Sequence, residues 1–226
     1  MLLRKDLRSM ILSLVIGDGC LFTMKRGKKL YGGLTIDHGI EQSDYQTWKA
    51  QLLSQITGRN VRLRTGHKGK SVQISVCMKR FRSWRKFCYP NGKKDVNKIL
   101  KFINNPTFAL AVWLMDDGYV DAKQNKSKSK TYSARFRIFN CETPFERHVE
   151  LIQWFKENFN VEPRIKELKK NKKGKSYPFM AFTTKDSLIL WKEIREFVFQ
   201  FKSMRHKFRH IEHIYQKRML QCVAQT

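Results

Sequence analysis

Ile11-Leu-Ser-Leu-Val-Ile-Gly-Asp-Gly19 and Leu110-Ala-Val-Trp-Leu-Met-Asp-Asp-Gly118 are the two stretches that decide the fold. Each is an apolar run that stops at Asp-Gly. Asp18 and Asp117 stand 99 residues apart in a chain of 226, so one plan fits twice. A repeat of this length is the first thing to test in any sequence, because it sets the architecture. The segments after the two runs repeat as well. After Asp18 come a short strand (Cys20 to Met24), a basic turn (Lys25 to Lys29) and a second strand (Leu30 to Asp37). After Asp117 come Tyr119 to Ala122, a longer basic turn (Lys123 to Lys130) and Ser133 to Phe139.

Each hairpin leads into a helical pattern. Tyr45, Trp48, Leu52 and Ile56 recur at 3–4 spacing in the first copy, and Val149, Ile152 and Phe155 in the second. A second strand pair comes next, Asn60 to Arg64 with Val72 to Met78, then Val161 to Leu168 with Tyr177 to Thr183. A further helix closes each copy, Phe81 to Cys88 and Ser187 to Phe197, and runs into a turn carrying Lys94 or Lys207. The fold class expected is α+β, with two pseudo-symmetric αββαββα halves at 1–104 and 105–226.

The aspartates are electrostatically odd. A helix C-terminus carries partial negative charge, so a carboxylate there is disfavoured by a few tenths of a kcal/mol or more. A divalent cation compensates. Mg²⁺ takes oxygen ligands from one or two carboxylates, backbone carbonyls, water and phosphate, and the free carbonyls of a helix end point the same way. Two such helices side by side bring Asp18 and Asp117 together with those carbonyls, and the metal set expected is Asp18, Asp117, Gly17 and Asp116. Asp117 is preferred to Asp116 because it directly precedes Gly118, as Asp18 precedes Gly19. Ser13, Gly17, Ala109 and Ala111 are small enough for close helix approach. Gly19 and Gly118 fit the position just past a helix end, where a left-handed residue turns the chain. Asp121 reads as a turn residue.

These paired runs resemble the signature of the LAGLIDADG homing endonucleases, in the branch that carries two motifs on one chain. Asp37-His38, Glu41 to Tyr45 and Trp48-Lys49 resemble the family segment entering the second helix, and Tyr89-Pro-Asn-Gly-Lys-Lys94 the segment with its basic active-site Lys. The resemblance runs from about Leu7 to Phe208. It implies Mg²⁺-dependent hydrolysis of both strands of a long DNA site, with Mn²⁺ able to substitute. Asp18, Asp117, Lys94 and Lys207 are the catalytic residues it implies, although Lys93 adjoins Lys94. It also implies two antiparallel saddles, one per half, lying along the major groove, packed through the two motif helices. A two-stranded ribbon fits that groove and can present side chains to base edges.

Period-2 patterning agrees with such strands. Val61-Arg62-Leu63-Arg64 and Arg135-Phe136-Arg137-Ile138 alternate apolar with Arg, and Gln73 alternates with Val72 and Ile74. Arg62, Arg64, Gln73, Arg135, Arg137, Arg164 and Lys166 are the candidates for base edges. Lys28, Lys29, Lys68, Lys70, Lys126, Lys128, Lys172 and Lys173, at turns, are candidates for phosphate.

Composition fits a nucleic-acid partner. Lys and Arg number 46 against 19 Asp and Glu, a formal charge of +27, yet 41% of residues are hydrophobic, so the charge sits on a folded body. A ribosomal protein and a membrane-surface binder share the basic balance. The five cysteines form no CxxC pair and read as reduced thiols in an intracellular protein. His206, His210 and His213 lack a cysteine or acidic ligand set and read as a basic helix face. No run is long enough to span a membrane, and the apolar N-terminus has no small-residue cleavage site. The resemblance further suggests a monomer encoded by a mobile intron, with an organelle as its compartment. An intron RNA maturase of the same fold is the alternative function, and a non-catalytic basic structural protein a more distant one.

Overall fold

The computed structural model describes residues 4–124, 132–139, 148–167 and 178–223. The expected turn lysines Lys126, Lys128, Lys172 and Lys173 lie outside the described residues. The protein is α+β, as the repeat implies, and divides into two compact units. The first is Met1–Asp116 with Phe201–Met204; the second is Asp117–Gln200 with Arg205–Thr226. The repeat divides the sequence at 104/105, whereas the units divide at 116/117. The second motif run, apart from its last two residues, therefore belongs to the first unit.

In the first unit, α1 (Arg4–Ile16) leads into the hairpin β1 (Cys20–Arg26) and β2 (Lys29–Gly39). Then come α2 (Ser43–Thr57), β3 (Leu63–Gly66), β4 (Ser71–Met78), α3 (Phe81–Cys88), α4 (Val96–Leu100) and α5 (Pro106–Asp117). The sheet order is β1-β2-β4-β3, antiparallel throughout. Helix α3 covers β1 and β2, while α2 lies chiefly on β4. Period 2 explains the core: Leu34, Ile36 and Ile74 are fully buried, and Gln73 and Ser75 take the opposite face. Each fully buried Leu, Ile or Phe is worth roughly 1.5–3 kcal/mol relative to exposure.

Helices α1 and α5 are buried differently from a surface helix. Every residue of α1 from Ile11 to Ile16 is buried, and so is every residue of α5 from Ala109 to Met115. A helix apolar all round belongs inside a protein. Gly17 fulfils its expected role here. A Cβ on Gly17 would sit 2.2 Å from Asp116 Oδ2, so only glycine lets the ends of α1 and α5 meet. Ser13 donates its hydroxyl to the Ser9 carbonyl (2.9 Å), which keeps that hydroxyl satisfied inside the unit.

The glycines after the motifs differ from expectation. Neither Gly19 nor Gly118 has a positive φ. Gly19 N donates to Leu14 O (2.9 Å), and a Cβ there would lie 2.4 Å from that same carbonyl. The requirement is space against the helix end, not a left-handed backbone. Gly118 is already the first residue of a strand.

In the second unit, β5 (Gly118–Gln124), β6 (Tyr132–Phe139), β7 (Arg164–Glu167) and β8 (Pro178–Ala181) form a sheet of order β5-β6-β8-β7. This repeats the topology of the first sheet strand for strand. Helix α6 is described over His148–Phe159, α7 spans Thr184–Phe199 and α8 spans Arg205–Val223. A capping box starts α7, with Thr183 and Asp186 exchanging side-chain and backbone bonds. Trp191 stacks on Phe208 with centroids 5.2 Å apart, joining α7 to α8 under β6.

Two helices exceed the expected αββαββα plan, α4 and α8. Lys207 accordingly does not sit in a turn like Lys94: it occupies the first turn of α8. Asp121 is another correction. It lies in mid-strand, opposite Arg135 in β6, and pairs with the Arg137 guanidinium. Its side chain is held where a turn residue's would move. Among the described residues, no helix is long and apolar enough to cross a membrane.

Candidate active site and nucleic-acid interface

The end of α1, the end of α5, the end of β2 and the middle of α2 converge in the first unit. Asp18 and Asp116 both come from the motif runs, but their environments are opposite. The Asp18 side chain is 35% exposed; that of Asp116 is 0% exposed. Asp116 lies inside its helix and faces the core, whereas Asp18 lies just past the end of α1 and faces outward.

Asp116 is held entirely by protein donors. Lys49 Nζ donates to its Oδ1 at 2.7 Å and its Oδ2 at 2.9 Å, and the Asp18 backbone N–H donates to Oδ2 at 3.0 Å. Burial pushes the Asp116 carboxyl upward, but it is held below the ordinary carboxylate range, with the charge and hydrogen bonds of the Lys49 ammonium and the Asp18 backbone N–H all acting in that direction. Lys49 is itself fully buried, on α2, with its ammonium 4.3 Å from the Tyr45 ring centre. Its Nζ is also 2.8 Å from His38 Nε2. His38, near the end of β2, turns its other nitrogen to Asp18, with Nδ1 3.4 Å from Oδ2.

Lys94 lies in the loop between α3 and α4. Its Nζ donates to Gly17 O (2.5 Å) and Ile16 O (3.4 Å). A cation at those carbonyls matches the negative end of α1. Tyr89, at the end of α3, holds the same region: its hydroxyl accepts from Leu21 N (3.3 Å) and donates to Gly19 O (3.4 Å).

One atom from each of Asp18, His38 and Asp116 lies within 4.8 Å of the others. The three do not suit a divalent ion equally. Asp18 offers a half-exposed hard oxygen at a helix end, which suits Mg²⁺. Asp116 does not, because both its oxygens are taken and an ion there would face the Lys49 ammonium. The Gly17 carbonyl is likewise engaged, by Lys94. Asp117, half-buried, and Lys207 belong to the second unit, where Lys207 lines a recess with Tyr119, Ala122, His206, Arg209 and His210.

The strand candidates fall on the outward faces. In the first sheet, register aligns Arg64, Gln73 and Asp37 in one row. In the second, Arg137, Ala181 and Arg164 form a row, and Phe139, Phe179 and Lys166 another. Arg135, Arg137, Arg164 and Lys166 thereby line one recess with Asp121. Arg137 is pinned twice, by Asp121 and by the Phe179 ring 5.1 Å from its guanidinium. Arg62 precedes β3 and is exposed, and Lys28, Lys29 and Lys70 are exposed near the turns of the first sheet. Lys68 adopts the left-handed conformation (φ 56°) in the turn between β3 and β4.

His38 and Lys49 enter the site although the sequence marks them only through the resemblance of their segments. A signal was available. Lys49 sits on α2 in step with Tyr45, Leu52 and Leu53, on the face that is buried.

The model of the LAGLIDADG DNA endonuclease family matches residues 8–190. The homing endonuclease I-WcaI bound to its DNA recognition sequence superposes with a TM-score of 0.61 at 20% identity, covering 92% of this chain and 87% of that one. The LAGLIDADG homing endonuclease I-LtrWI bound to target DNA gives 0.56 at 12% identity, covering 96% and 91%. A variant of I-DmoI with its target DNA in the presence of Mg gives 0.52 at 15% identity, covering 84% and 96%. At these identities the likeness concerns the fold. Protein RecA of Mycobacterium gastri is 29% identical over 132 residues, 58% of this chain and 30% of that protein. Protein RecA of Mycolicibacterium flavescens is 26% identical over 180 residues, 78% of this chain and 40% of that protein. The chain thus spans less than half the length of these curated relatives.

Proposed function

The chain belongs to the LAGLIDADG DNA endonuclease family, and on that premise we propose that it is a site-specific homing endonuclease which cuts both strands of a long DNA target with the help of Mg²⁺. The observation that carries this reading is Asp18, a half-exposed carboxylate at the carbonyl end of a buried helix, flanked by Lys94 in a chain of charge +27. Asp18 and Asp117 each supply one carboxylate per repeat. Asp116 is a fixed internal counterion and not a ligand.

When bound, a divalent ion at such a carboxylate lowers the pKa of a water molecule and neutralises charge on the leaving oxygen. The chain's own residues do the rest. Asp18 holds its oxygen in place because its backbone N–H is tied to Asp116. Lys94 brings a positive charge next to the helix end, where it stabilises a phosphate gaining negative charge. Lys207 is its counterpart in the second repeat. Strand residues such as Arg64, Gln73, Arg137 and Arg164 read base edges, and the turn lysines neutralise phosphates. Both repeats lie on one chain, so the enzyme acts as a monomer. Its gene belongs to a mobile intron, the setting that the homing activity serves.

The test is cleavage selection from a randomised duplex library. With Mg²⁺ or Mn²⁺, linear products should converge on one long site, and with EDTA none should form. Products without a common sequence, or cleavage unaffected by EDTA, would refute the reading.

A further inference from the structure

We propose that His38 is a positioning residue for the Asp18 carboxylate, set in its working tautomer by the buried Lys49. This rests on the reading of Asp18 as the group that holds the divalent ion, and it extends that reading to residues with no place in it so far.

The tautomer is dictated from the core outward. Lys49 Nζ is fully buried and satisfies both oxygens of the buried Asp116. An ammonium has three donors and no acceptor. His38 Nε2, 2.8 Å from that ammonium, therefore has to accept. Asp116 Oδ1 lies 3.7 Å from the same nitrogen, too far to take a proton from it in a hydrogen bond. A neutral imidazole has one donor and one acceptor nitrogen, so the proton sits on Nδ1. Nδ1 is the nitrogen that faces Asp18 Oδ2, at 3.4 Å.

Asp116, Lys49, His38 and Asp18 thus form an ordered chain with a fixed direction, hydrogen-bonded from Asp116 to His38 and completed by the 3.4 Å approach of Nδ1 to Asp18. Each member comes from a different element: α5, α2, β2 and the turn after α1. His38 is 6% exposed and its ring packs against Tyr45 at 5.4 Å, so it cannot turn over freely. The consequence for Asp18 is asymmetric. Oδ2 lies 3.4 Å from the imidazole Nδ1, an electrostatic approach that biases the plane of the carboxylate and the direction in which Oδ1 points. Lys49 and Asp116 act at one remove: they set the ring that sets the carboxylate. Partners behind a ligand commonly change metal affinity or activity about 10–100-fold when removed.

Two near-isosteres divide the two bonds of His38. In His38→Asn the amide N–H stands near Nδ1, keeping a donor for Asp18 and losing the acceptor for Lys49. In His38→Gln the amide oxygen reaches the place of Nε2, keeping the acceptor for Lys49 and losing the donor to Asp18. His38→Asn should keep Mn²⁺ affinity, followed by electron paramagnetic resonance, and cleavage rate within about tenfold. His38→Gln should lose about 10–100-fold in both. Equal losses in the two variants, or a larger loss in Asn, would overturn the proposal. Because either variant could misfold, the unmodified protein supplies a second measurement. The ¹⁵N resonances of the His38 ring should report protonation at Nδ1 alone, and protonation at Nε2 would overturn the proposal. Asp18→Asn separates the two readings. If it cuts at the normal rate, the assignment of Asp18 itself fails. If it is inactive while His38→Gln matches the unmodified protein, only the role of His38 fails.

Discussion

The Lys49 ammonium and the Asp116 carboxylate, both fully buried, meet at 2.7 Å and join α2 to the end of α5. Removing one partner of such a pair leaves an uncompensated buried charge, which costs about 3–5 kcal/mol. Lys49→Met should therefore lower unfolding stability by about that amount in urea titrations. Lys49→Met/Asp116→Asn removes both charges and should recover a clear part of the loss. A double variant no more stable than the single one would show that the charge of Asp116 is not what Lys49 offsets.

Gly17 separates two effects of glycine. A Cβ there would meet Asp116 Oδ2 at 2.2 Å, a buried and doubly bonded atom that cannot retreat. Gly17→Ala should destabilise by roughly 1–3 kcal/mol through overpacking. At Gly58, φ is +65° and a Cβ would meet open space, so Gly58→Ala should cost only about 1 kcal/mol through backbone strain. Thermal unfolding of the two variants checks the order, and a Gly17→Ala protein as stable as Gly58→Ala would contradict the close approach of α1 and α5.

Acid should weaken the second unit through Glu212. Burial pushes this carboxyl up, but its bonds to Arg195, Gln216 and Trp191 hold it below the usual glutamate range. A group depressed in the folded state stabilises above its unfolded pKa, about 4.3, and loses that stabilisation as pH falls through the folded value. Trp191 Nε1 donates to Glu212 Oε2 at 2.7 Å, so its fluorescence reports the bond. The stability gap between the unmodified protein and Glu212→Gln should be full at about pH 7 and shrink below about pH 4. A gap that widens on acidification would reverse the sign.

Base reading should separate from phosphate contact. Arg137 is braced by Asp121 and Phe179, and a guanidinium held in one orientation suits a bidentate contact to a base. In binding-site selection, Arg137→Ala should relax preference at one position at a cost of about 1–3 kcal/mol. Lys28→Ala, at an exposed turn, should weaken all sequences alike and reduce the salt slope by about one unit. Unchanged selectivity in Arg137→Ala would contradict the strand reading.

Much of this was legible in the sequence, and the remainder was hidden for physical reasons. The Asp-Gly runs, the hairpins and the alternation of Arg135, Phe136, Arg137 and Ile138 are local patterns, and the sheets obey them; Val61 and Arg62, by contrast, precede β3. The difference between Asp116 and Asp117 is not local. Two adjacent carboxylates look alike until packing decides which one meets Lys49, a residue 67 positions away from Asp116. The glycine after the first motif was legible as a requirement but not in its cause, since crowding of Gly19 by the Leu14 carbonyl depends on the path of the chain. Lys207 was matched to Lys94 through the aromatic helix that precedes each and through the family resemblance, yet α8 begins before it, because Phe208 and Ile211 supply an apolar face that extends the helix.

The most direct measurement is plasmid cleavage by Asp18→Asn and Asp117→Asn on the site recovered by selection. Each change removes one carboxylate charge and leaves the strand and turn cations intact. With Mg²⁺ the unmodified enzyme should convert supercoiled plasmid to linear product. Both variants should produce no linear product, while binding the site within about tenfold of the unmodified affinity, roughly 1.4 kcal/mol. Linear product from either variant at the unmodified rate would contradict the account.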